Sequence, residues 1–393
     1  MSFKFKIIVL IASATTFVQA SPIDWKGSFA FDSYIMNDVR RTSEDCTTAD
    51  GSQCINNEEN NARFQTMILR LNPNIIVNDA LTIKGELSTG SGASGVRGSR
   101  LGESTQLPTS NSVGNSFYTQ STRSELVINQ LYAEIYADTA LYKIGRFSKH
   151  WGLGALVNSG ENTFDRFYSG YEGVEAQLKL GSFHLTPMWA KLHTSDQPNG
   201  SYDSYETSVE ALYDNANRNL KVGVYYSLRE VETNDTLYAT GSQKTTLIDI
   251  FVKKQWDRFS LGLEIPMLSG KINNLYNTGD ADFDTNAYIL ETNYKANSKW
   301  DVGLNAGMVK GDDGSTSSFE GMYLNPNYKH SHLLFKYNNR AFNTAGEDIF
   351  NASIVNATYA NLFAHYNSGE WTWKMSAFWA MANEVASTGS DFF

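Results

Sequence analysis

The sequence of 393 residues predicts an all-β fold, a single antiparallel β-barrel, on three observations. First, apolar and polar residues alternate with period two in one segment after another, as strands with one apolar and one polar face require. Second, short turns alternate with long polar segments between these strands. Third, aromatic residues make up 13% of a chain in which 19% of residues are charged, a combination that is typical of amphipathic strands.

The first residues have the layout of a secretory signal peptide. Two lysines precede an apolar run at 7–17, and small residues then predict cleavage before Ser21. Removing this segment leaves 30 basic and 42 acidic residues, a net charge of −12, which disfavours nucleic acid as a partner and favours cations. We therefore expect a signal peptide at 1–20 and a single transmembrane β-barrel domain at 21–393.

The period-two segments have the length of membrane-crossing strands. They run for about 9–12 residues, against the roughly 9–11 that a tilted strand needs to cross a bilayer. Their apolar faces seldom hold a charge, which suits lipid, while a soluble β-sandwich is the alternative. No apolar run after the signal peptide exceeds six residues, so membrane-spanning helices are excluded. The predicted strands are 25–36, 64–76, 80–88, 126–137, 140–147, 173–180, 183–191, 205–213, 220–229, 245–256, 259–267, 285–295, 300–309, 317–324, 331–338, 353–366 and 371–383.

The connections between these strands indicate which rim faces which compartment. Short turns suit the periplasmic side and long polar loops the outer side, the longest being 37–62, 88–124 and 148–171. The strand count is 17, whereas bacterial single-chain barrels close with an even number. We therefore expect 16 to 18 strands, the larger number if the closing strand is missing from this sequence.

The two cysteines, Cys46 and Cys54, lie in a Gly-, Asp- and Asn-rich stretch of the first long loop. In the oxidising compartment that a signal peptide implies, this spacing predicts a local disulfide that staples the loop. No histidine lies within the stretch, which disfavours a metal site there.

One long segment, IGRFSKHWGLGALVNSGENTFDRFYSG at 144–170, departs from the pattern of a solvated loop. Leu153, Ala155 and Leu156 are unusually apolar for a loop facing water, and they favour packing against the barrel interior. We expect this segment to fold inward and narrow the pore, with acids and bases opposed across the opening. The alternative is a loop that lies over the outer rim. The expected constriction residues are Arg146, Lys149, His150, Trp151, Glu161, Asp165 and Arg166.

The polar faces of the strands predict a wet interior. Lysine, glutamate and glutamine recur at the positions that alternate with the apolar residues, as the lining of a water-filled barrel requires. The expected lining residues are Lys84, Glu86, Gln130, Glu134, Glu175, Lys179, Lys253, Glu291 and Lys374.

A resemblance to a known family rests on GRFSKHWGLGALVN at 145–158 followed by FDRF at 164–167. This stretch resembles the strand-to-loop signature of large Gram-negative outer-membrane channels, including the alginate-export-like family of 18-stranded barrels. The resemblance implies a passive channel with a charged constriction. The positions that match by place in the motif are Arg146, Lys149, Asp165 and Arg166. Polyanion export in that family relies on an arginine-rich lumen, whereas this chain has 13 arginines and a net negative charge, which disfavours alginate-like substrates.

Three other patterns in the sequence do not support a chemical site. GSGASG at 90–95 matches the spacing of a dinucleotide loop, but no helical period follows it and no acid lies at the required distance. His330 and His332 have no acid or thiol at ligand spacing beside them. GDADFDTN at 279–286 lacks the glycine and the closing glutamate of a hand-type calcium loop. We expect no enzymatic activity, no cofactor and no metal.

Two functions fit these features. The first is a porin of the bacterial outer membrane that passes small hydrophilic solutes or ions by diffusion, with a mild cation preference. The second is a non-channel surface barrel, such as an adhesin, a receptor or a structural protein, or else a substrate-specific exporter. The expected partners are outer-membrane lipid, lipopolysaccharide and the solutes themselves. A homotrimer and a monomer are both consistent with the sequence.

Overall fold

The computed structural model describes residues 23–36, 62–89, 99–101, 126–167, 169–194, 202–233, 243–272, 281–313, 318–331, 334–336 and 352–384. The predicted signal peptide, most of the outer loops 37–62 and 88–124, and the predicted Cys46–Cys54 disulfide lie outside the described residues. Within these ranges, no helix is long and apolar enough to span a membrane.

Sixteen strands of the described residues belong to one antiparallel sheet. They are β1 (Ile23–Met36), β2 (Ala62–Asn78), β3 (Leu81–Thr89), β4 (Ser99–Leu101), β5 (Leu126–Tyr136), β6 (Ala140–Ser148), β7 (Gly170–Leu180), β8 (Phe183–Thr194), β9 (Tyr202–Asn215), β10 (Leu220–Thr233), β11 (Gln243–Gln255), β12 (Phe259–Ile272), β13 (Ala281–Lys295), β14 (Trp300–Val309), β15 (Ala357–Ser368) and β16 (Trp371–Ala382). A single 3₁₀ turn, Ala216–Arg218, joins β9 to β10.

Apart from β4, the strands are arranged in the sheet in their order along the chain, β1-β2-β3-β5 and onward to β16. The short β4 instead extends the edge of β2 near its outer end. Such an up-and-down order follows from local hairpins, which place sequential strands side by side. Among the described residues, no pairing joins β1 to β16, so these two strands stand at the ends of the sheet order.

The two faces of the sheet differ as the period-two pattern predicts. On β10, Val222, Val224 and Tyr226 are exposed, while the alternating Tyr225 and Ser227 are buried. We call the first side the outward face and the second the inner face. Exposed apolar side chains on the outward face also include Leu131, Ile144, Val174, Trp189, Ile248, Met267 and Tyr288. Buried acids on the inner face include Glu134, Glu175, Glu206, Asp249 and Glu264.

This distribution is that of a barrel wall with hydrocarbon outside and polar groups inside. A soluble sandwich has the opposite arrangement, since its apolar faces are buried against each other. The predicted class, an antiparallel all-β barrel of 16 to 18 strands, is confirmed by the sixteen strands of the sheet. The described strands do not close the sheet.

Two of the seventeen predicted strands, 317–324 and 331–338, were wrong. Their described residues form only isolated bridges, Phe319 to Phe283 and Tyr323 to Val355, and otherwise turns. The alternation there has another cause, because Met322, Leu324 and Tyr328 are buried against the inner face of the sheet. In this stretch the alternation of apolar and polar residues arises because an irregular segment is buried on one side, and not because the segment is a strand.

The apolar core lies on the inner face in three groups. One surrounds Tyr359 of β15 and Ile289 of β13, a second surrounds Tyr225 and Phe251, and a third surrounds Phe147 of β6. The first two groups include residues from loops, so the long outer connections contribute to the core.

Candidate functional site

The segment 149–169, which we call the inner loop, leaves the outer end of β6 and lies on the inner face. Trp151 is 3% exposed and packs against Tyr225 of β10 and Phe251 of β11, with ring centroids 5.8 and 6.1 Å away. Further on, Ala155 is buried against residues of β13 to β15. Because six strands separate β6 from β13 in the sheet order, the inner loop crosses the interior of the barrel instead of following its rim.

Glycines in the wall make room for the inner loop. A β-carbon at Gly223 would stand 2.7 Å from the Trp151 ring, and one at Gly262 would stand 2.8 Å from the Leu153 side chain. The loop in turn needs Gly152, whose φ of +63° lies in the left-handed region that favours glycine. The shapes of the barrel wall and the inner loop are therefore complementary at individual residues.

A pair of buried carboxyl groups anchors the loop. Asp249 on β11 and Glu264 on β12 are both 0% exposed, and Glu264 accepts a hydrogen bond from the Leu153 amide. Among the described residues, no N–H or O–H reaches either oxygen of Asp249 or the Oε1 of Glu264, and no cation pairs with them. Two adjacent buried carboxyls without a cation cannot both hold a full charge. A proton shared between them, together with the Leu153 amide, accounts for the arrangement.

Lys149 ties the start of the inner loop to the wall. Its Nζ lies 3.0 Å from Glu175 Oε2 on β7 and 2.9 Å from Glu210 Oε1 on β9, and it stands 5.3 Å from the centre of the Tyr225 ring. Burial alone would lower the pKa of Lys149, but the carboxylates of Glu210 and Glu175 outweigh it and raise the pKa above its usual value. Lys149 therefore stays a cation inside the barrel.

The return of the inner loop is held by Arg70 of β2. The Arg70 guanidinium is buried and donates to the carbonyl of Gly160 at 2.8 Å and to the carbonyl of Asp165. The Asp165 carboxylate accepts from the amide of Asn162 at 3.0 Å and from its side chain at 3.1 Å. The loop thus contacts the wall at β2, β7, β9 and β12, on opposite sides of the interior.

Residues 318–331, which we call the second inner segment, come from the connection between β14 and β15 and meet the inner loop. The Asn325 amide donates to the Ala155 carbonyl at 2.6 Å. The Asn327 side-chain oxygen accepts from the amides of Arg166 and Phe167 at 3.1 and 3.2 Å, and its nitrogen donates to the Phe167 carbonyl. The two segments therefore form one structure inside the barrel.

A cavity of about 350 Å³ lies between the two inner segments and β13. It is lined by His150, Leu153, Asn158, Ser159, Glu161, Asn162, Glu291, Asn327, Tyr328, Lys329 and His330. Most of these side chains are polar, and both signs of charge are present. A space of this size and lining suits water and small hydrophilic molecules.

Two titratable groups of the second inner segment face this cavity. Tyr328 donates its hydroxyl to Glu291 Oε1 at 2.8 Å, and burial raises the pKa of Tyr328 well above its usual value. His330 Nδ1 lies 2.9 Å from the amide nitrogen of Asn305, and its Nε2 is 3.7 Å from Glu291. Burial lowers the pKa of His330 to about 4, so the ring is neutral at pH 7.

The structure brings six of the seven expected constriction residues together. Lys149, Trp151, Asp165 and Arg166 are buried in the inner loop, and His150 and Glu161 are exposed to the cavity. The expectation that Arg146 belongs to the constriction was wrong. Arg146 lies on the outward face, because it alternates in phase with the outward residues Tyr142 and Ile144. It pairs with Glu172 on the outward face and is not part of the inner group.

All nine expected lining residues share the inner face. The carboxylate of Glu134 pairs with Lys84 at 2.8 Å, Glu175 pairs with Lys143 at 3.3 Å, and Glu86 accepts from Gln130 at 3.3 Å. Lys179 and Lys253 keep the phase of the buried Glu175 and Phe251 on their strands. Lys374 keeps the phase of Phe378, which stacks on Tyr359.

Several residues of the site were not predicted from the sequence, among them Glu210, Asn327 and Tyr328 and three further residues on strands, Arg70, Asp249 and Glu264. Each of the last three carries a charge inside an apolar strand, as in LIDIFV at 247–252 and LGLEIPM at 261–267. A charged residue at an inner-face position of an otherwise apolar strand is the feature of the sequence from which these three residues could have been predicted. Within the described part of the chain, no group of three or more metal-ligating side chains comes together.

No family model matches the chain, and no curated protein matches it. Three solved structures of similar fold are bacterial channels. A triple mutant of the Rh. blastica porin is 10% identical with a TM-score of 0.41, over 91% of this chain and 94% of that one. A BenF-like porin from Pseudomonas fluorescens Pf-5 is 10% identical with a TM-score of 0.46, over 89% and 79%. The outer membrane channel DcaP of Acinetobacter baumannii is 10% identical with a TM-score of 0.45, over 92% and 98%.

Proposed function

We propose that this chain is a channel of the bacterial outer membrane through which small hydrophilic solutes or ions pass by passive diffusion. The observation that carries the proposal is the crossing of the barrel interior by the inner loop, which meets the second inner segment there. A barrel built only to display its outer loops has no need of an ordered polar structure inside. A constriction that sieves solutes requires one.

The proposed constriction consists of groups fixed by contacts to several strands. Lys149 is held by two carboxylates, Trp151 by a recess in the wall, and Asp165 and Arg166 by Arg70 and Asn327. Fixed charges inside a narrow opening act on a passing ion through little intervening water, so they determine which ions pass. Arg146 is left out, since it faces outward.

We infer a mild preference for cations. Among the described residues that line the cavity are two acids, Glu161 and Glu291, and a single lysine, Lys329. The mature chain carries a net charge of −12, so the field outside the opening also favours cations.

We also propose that residues 1–20 direct export and are then removed, and that the outward face lies in outer-membrane lipid and lipopolysaccharide. The apolar outward face supports this location, because exposed apolar bands are stable against hydrocarbon. The proposal assigns no catalytic role to any residue and needs no cofactor.

Deletion of residues 152–162 tests the function directly. In planar lipid bilayers the wild type is expected to give steady conductance steps with a cation preference, and the deletion variant is expected to give steps at least about twofold larger, because the inner loop no longer narrows the opening. Circular dichroism confirms that both proteins are folded.

Each result of this experiment has a definite meaning. Unchanged conductance after the deletion would show that the inner loop does not line the pore. Absence of conductance from correctly folded wild type would instead favour the non-channel surface barrel.

A further inference from the structure

One row of directly paired residues crosses eight neighbouring strands on the outward face. Its members, from β6 to β13, are Arg146, Glu172, Lys191, Tyr205, Glu230, Lys244, Lys271 and Asp282. Contacts along the row include Lys244 with Glu230 at 2.7 Å and Lys271 with Asp282 at 3.5 Å. Charged side chains on the lipid side of a barrel belong beyond the hydrocarbon, so the height of each pair is informative.

At the β12 end the row lies at the edge of the hydrocarbon. The outward series on β12 is apolar from Phe259 at the short-turn end up to Met267, and Lys271 ends it. At about 3.3 Å per residue and a tilt of about 40°, Phe259 to Lys271 spans roughly 30 Å. That exceeds the roughly 25 Å of a barrel's apolar band, so Lys271 reaches the outer headgroups.

At the β6 end the same row lies much lower. Arg146 is only a few residues above Ala140, where β6 begins at the short-turn rim, and the same geometry places it roughly 15 Å above that rim. Because the strands tilt, a row of directly paired residues climbs along the barrel from strand to strand. The Arg146–Glu172 pair therefore lies at the depth of the hydrocarbon.

On the β5 and β6 side the surroundings of the Arg146–Glu172 pair are apolar, while on β8 Lys191 lies directly opposite Glu172. Leu131 is directly opposite Arg146 and is 52% exposed, Ile144 lies one outward position below it, and the Ile128 carbonyl accepts a hydrogen bond from its guanidinium. The two charged side chains are themselves 48% and 46% exposed. Half-exposed charges at this depth, bordered by apolar side chains on β5 and β6, are unfavourable against lipid and call for a protein cover.

We propose that the outward face of β5, β6 and β7, centred on the Arg146–Glu172 pair, is covered by a second copy of this chain. The surface offers Arg146 and Glu172 side by side, with Lys191 opposite Glu172, so it presents both signs of charge to a second copy. A symmetric neighbour can bring its own glutamate to the arginine and its own arginine to the glutamate. The inference rests on the proposed membrane location and is independent of whether the barrel conducts.

Lipid accessibility tests whether this face is covered. Single cysteines are placed at Ile144→Cys and, as the matched control, at Val224→Cys, in a chain whose own Cys46 and Cys54 are both changed to serine. Both sites are outward, 45% and 41% exposed, and equally far along their strands from the short-turn rim. In bilayers of brominated lipid, we expect a fluorophore at Val224→Cys to be quenched several-fold more than one at Ile144→Cys.

Equal quenching at the two sites would overturn the proposal, since position 144 would then face lipid. A label at Val224→Cys that brominated lipid does not quench would instead contradict the membrane location. The two failures are therefore distinguishable.

Native mass spectrometry tests whether the partner that covers this face is a second copy of the chain. We expect the wild type to be a homo-oligomer and Arg146→Glu to shift it from mainly assembled to mainly monomeric. The exchange Arg146→Glu with Glu172→Arg is expected to restore assembly, which separates the effect from misfolding. The matched control Lys244→Glu, which breaks a pair at the upper end of the row, should leave assembly unchanged. A monomeric wild type, or an assembly that Arg146→Glu does not weaken, would overturn the proposal.

Discussion

Trp151 shows how a single side chain fixes the position of a loop. Its ring fills the space that Gly223 leaves open between β9 and β11, and it contacts Tyr225 and Phe251. A recess of this shape accepts one ring in one place, so the inner loop has a defined height in the barrel. The wall itself needs no change when the loop leaves, which makes the contact testable.

Trp151→Ala is expected to weaken docking of the inner loop by about 3–5 kcal/mol, because truncation of a buried aromatic side chain leaves a cavity. Hydrogen exchange at 152–160 should rise by at least a hundredfold, and conductance should increase. Trp189→Ala is the matched control, since Trp189 is 53% exposed on the outward face. Protection that survives Trp151→Ala would mean that Lys149 and Arg70 hold the loop without it.

His330 gives the interior a dependence on pH. Its pKa is about 4 when the ring is buried, against about 6.5 in a released segment. As pH falls from about 6.5 to about 4, the released segment binds a proton that the docked segment does not. Docking of the second inner segment therefore loses up to about 3 kcal/mol over this window and is fully stable above it.

Hydrogen exchange of residues 318–331 at pH 7 and pH 4.5 measures this effect. We expect protection, after correction for intrinsic rates, to fall at pH 4.5 in the wild type. The His330→Gln variant keeps a polar side chain without the titration and should show little difference. The same pH response in both proteins would assign the change to Glu291 or another acid.

At this scale the sequence predicted the face of a residue better than its contacts. The period-two phase correctly placed Glu134 and Glu175 on the inner face, and the same phase, followed through Tyr142 and Ile144, places Arg146 outward. The motif placed Arg146 in the constriction because a motif gives the order of residues but not the face of the strand on which each residue lies. The partners of Lys149 were not predictable, since Glu210 lies on a strand far along the chain.

Among the elements, the two inner segments depend on one asparagine. Asn327 supplies an acceptor for two amides of the inner loop and a donor for one of its carbonyls. The asparagine side chain has both a donor and an acceptor, so it can make the hydrogen bonds that a backbone peptide group would make. This allows two irregular segments to be joined without strand pairing.

Asn327→Ala is expected to uncouple the segments. Two partly buried amides and a carbonyl lose their partner, which costs up to about 1–3 kcal/mol for each group left unsatisfied. Exchange of the Arg166 and Phe167 amides should therefore rise strongly. Asn297→Ala is the matched control, because Asn297 also accepts from two backbone amides but lies in the turn between β13 and β14. Equal effects of both variants on Arg166 would contradict the coupling.

Hairpins could be predicted from the sequence, whereas the inner segments could be predicted only in part. Strands joined by two-residue turns pair locally, so pattern and turn residues suffice. The apolar residues of the inner loop predicted an inward position, but its contact with Asn327, some 160 positions later, leaves no local trace. The alternation at 317–324 was misleading because a buried irregular segment can also alternate.

At the scale of the whole molecule, the proposed channel has acids where ions would enter the proposed constriction. Glu161 is exposed and lines the cavity, and its charge is free to act on passing ions. Lys84, Lys143 and Lys149 on the inner side are paired with carboxylates, so their fields are partly cancelled.

Glu161→Lys is therefore expected to lower the cation-to-anion permeability ratio by several-fold, which reversal potentials in a salt gradient would measure. Glu230→Lys makes the same change of charge on the outward face and serves as the control. An equal change of the permeability ratio in both variants would mean that the overall charge of the protein sets the ratio. No change in either variant would show that Glu161 does not lie on the path of the ions.

The contact between Leu153 and Glu264 joins positions 111 residues apart, and it can form only after the chain has been made and folded as far as β12. Contacts of such long sequence separation form late, since loop closure must precede them. On the proposed channel function, a newly inserted barrel whose inner loop has not yet docked would accordingly have a wider opening than the finished protein. Slowing the docking step would prolong this wider state without altering the final structure.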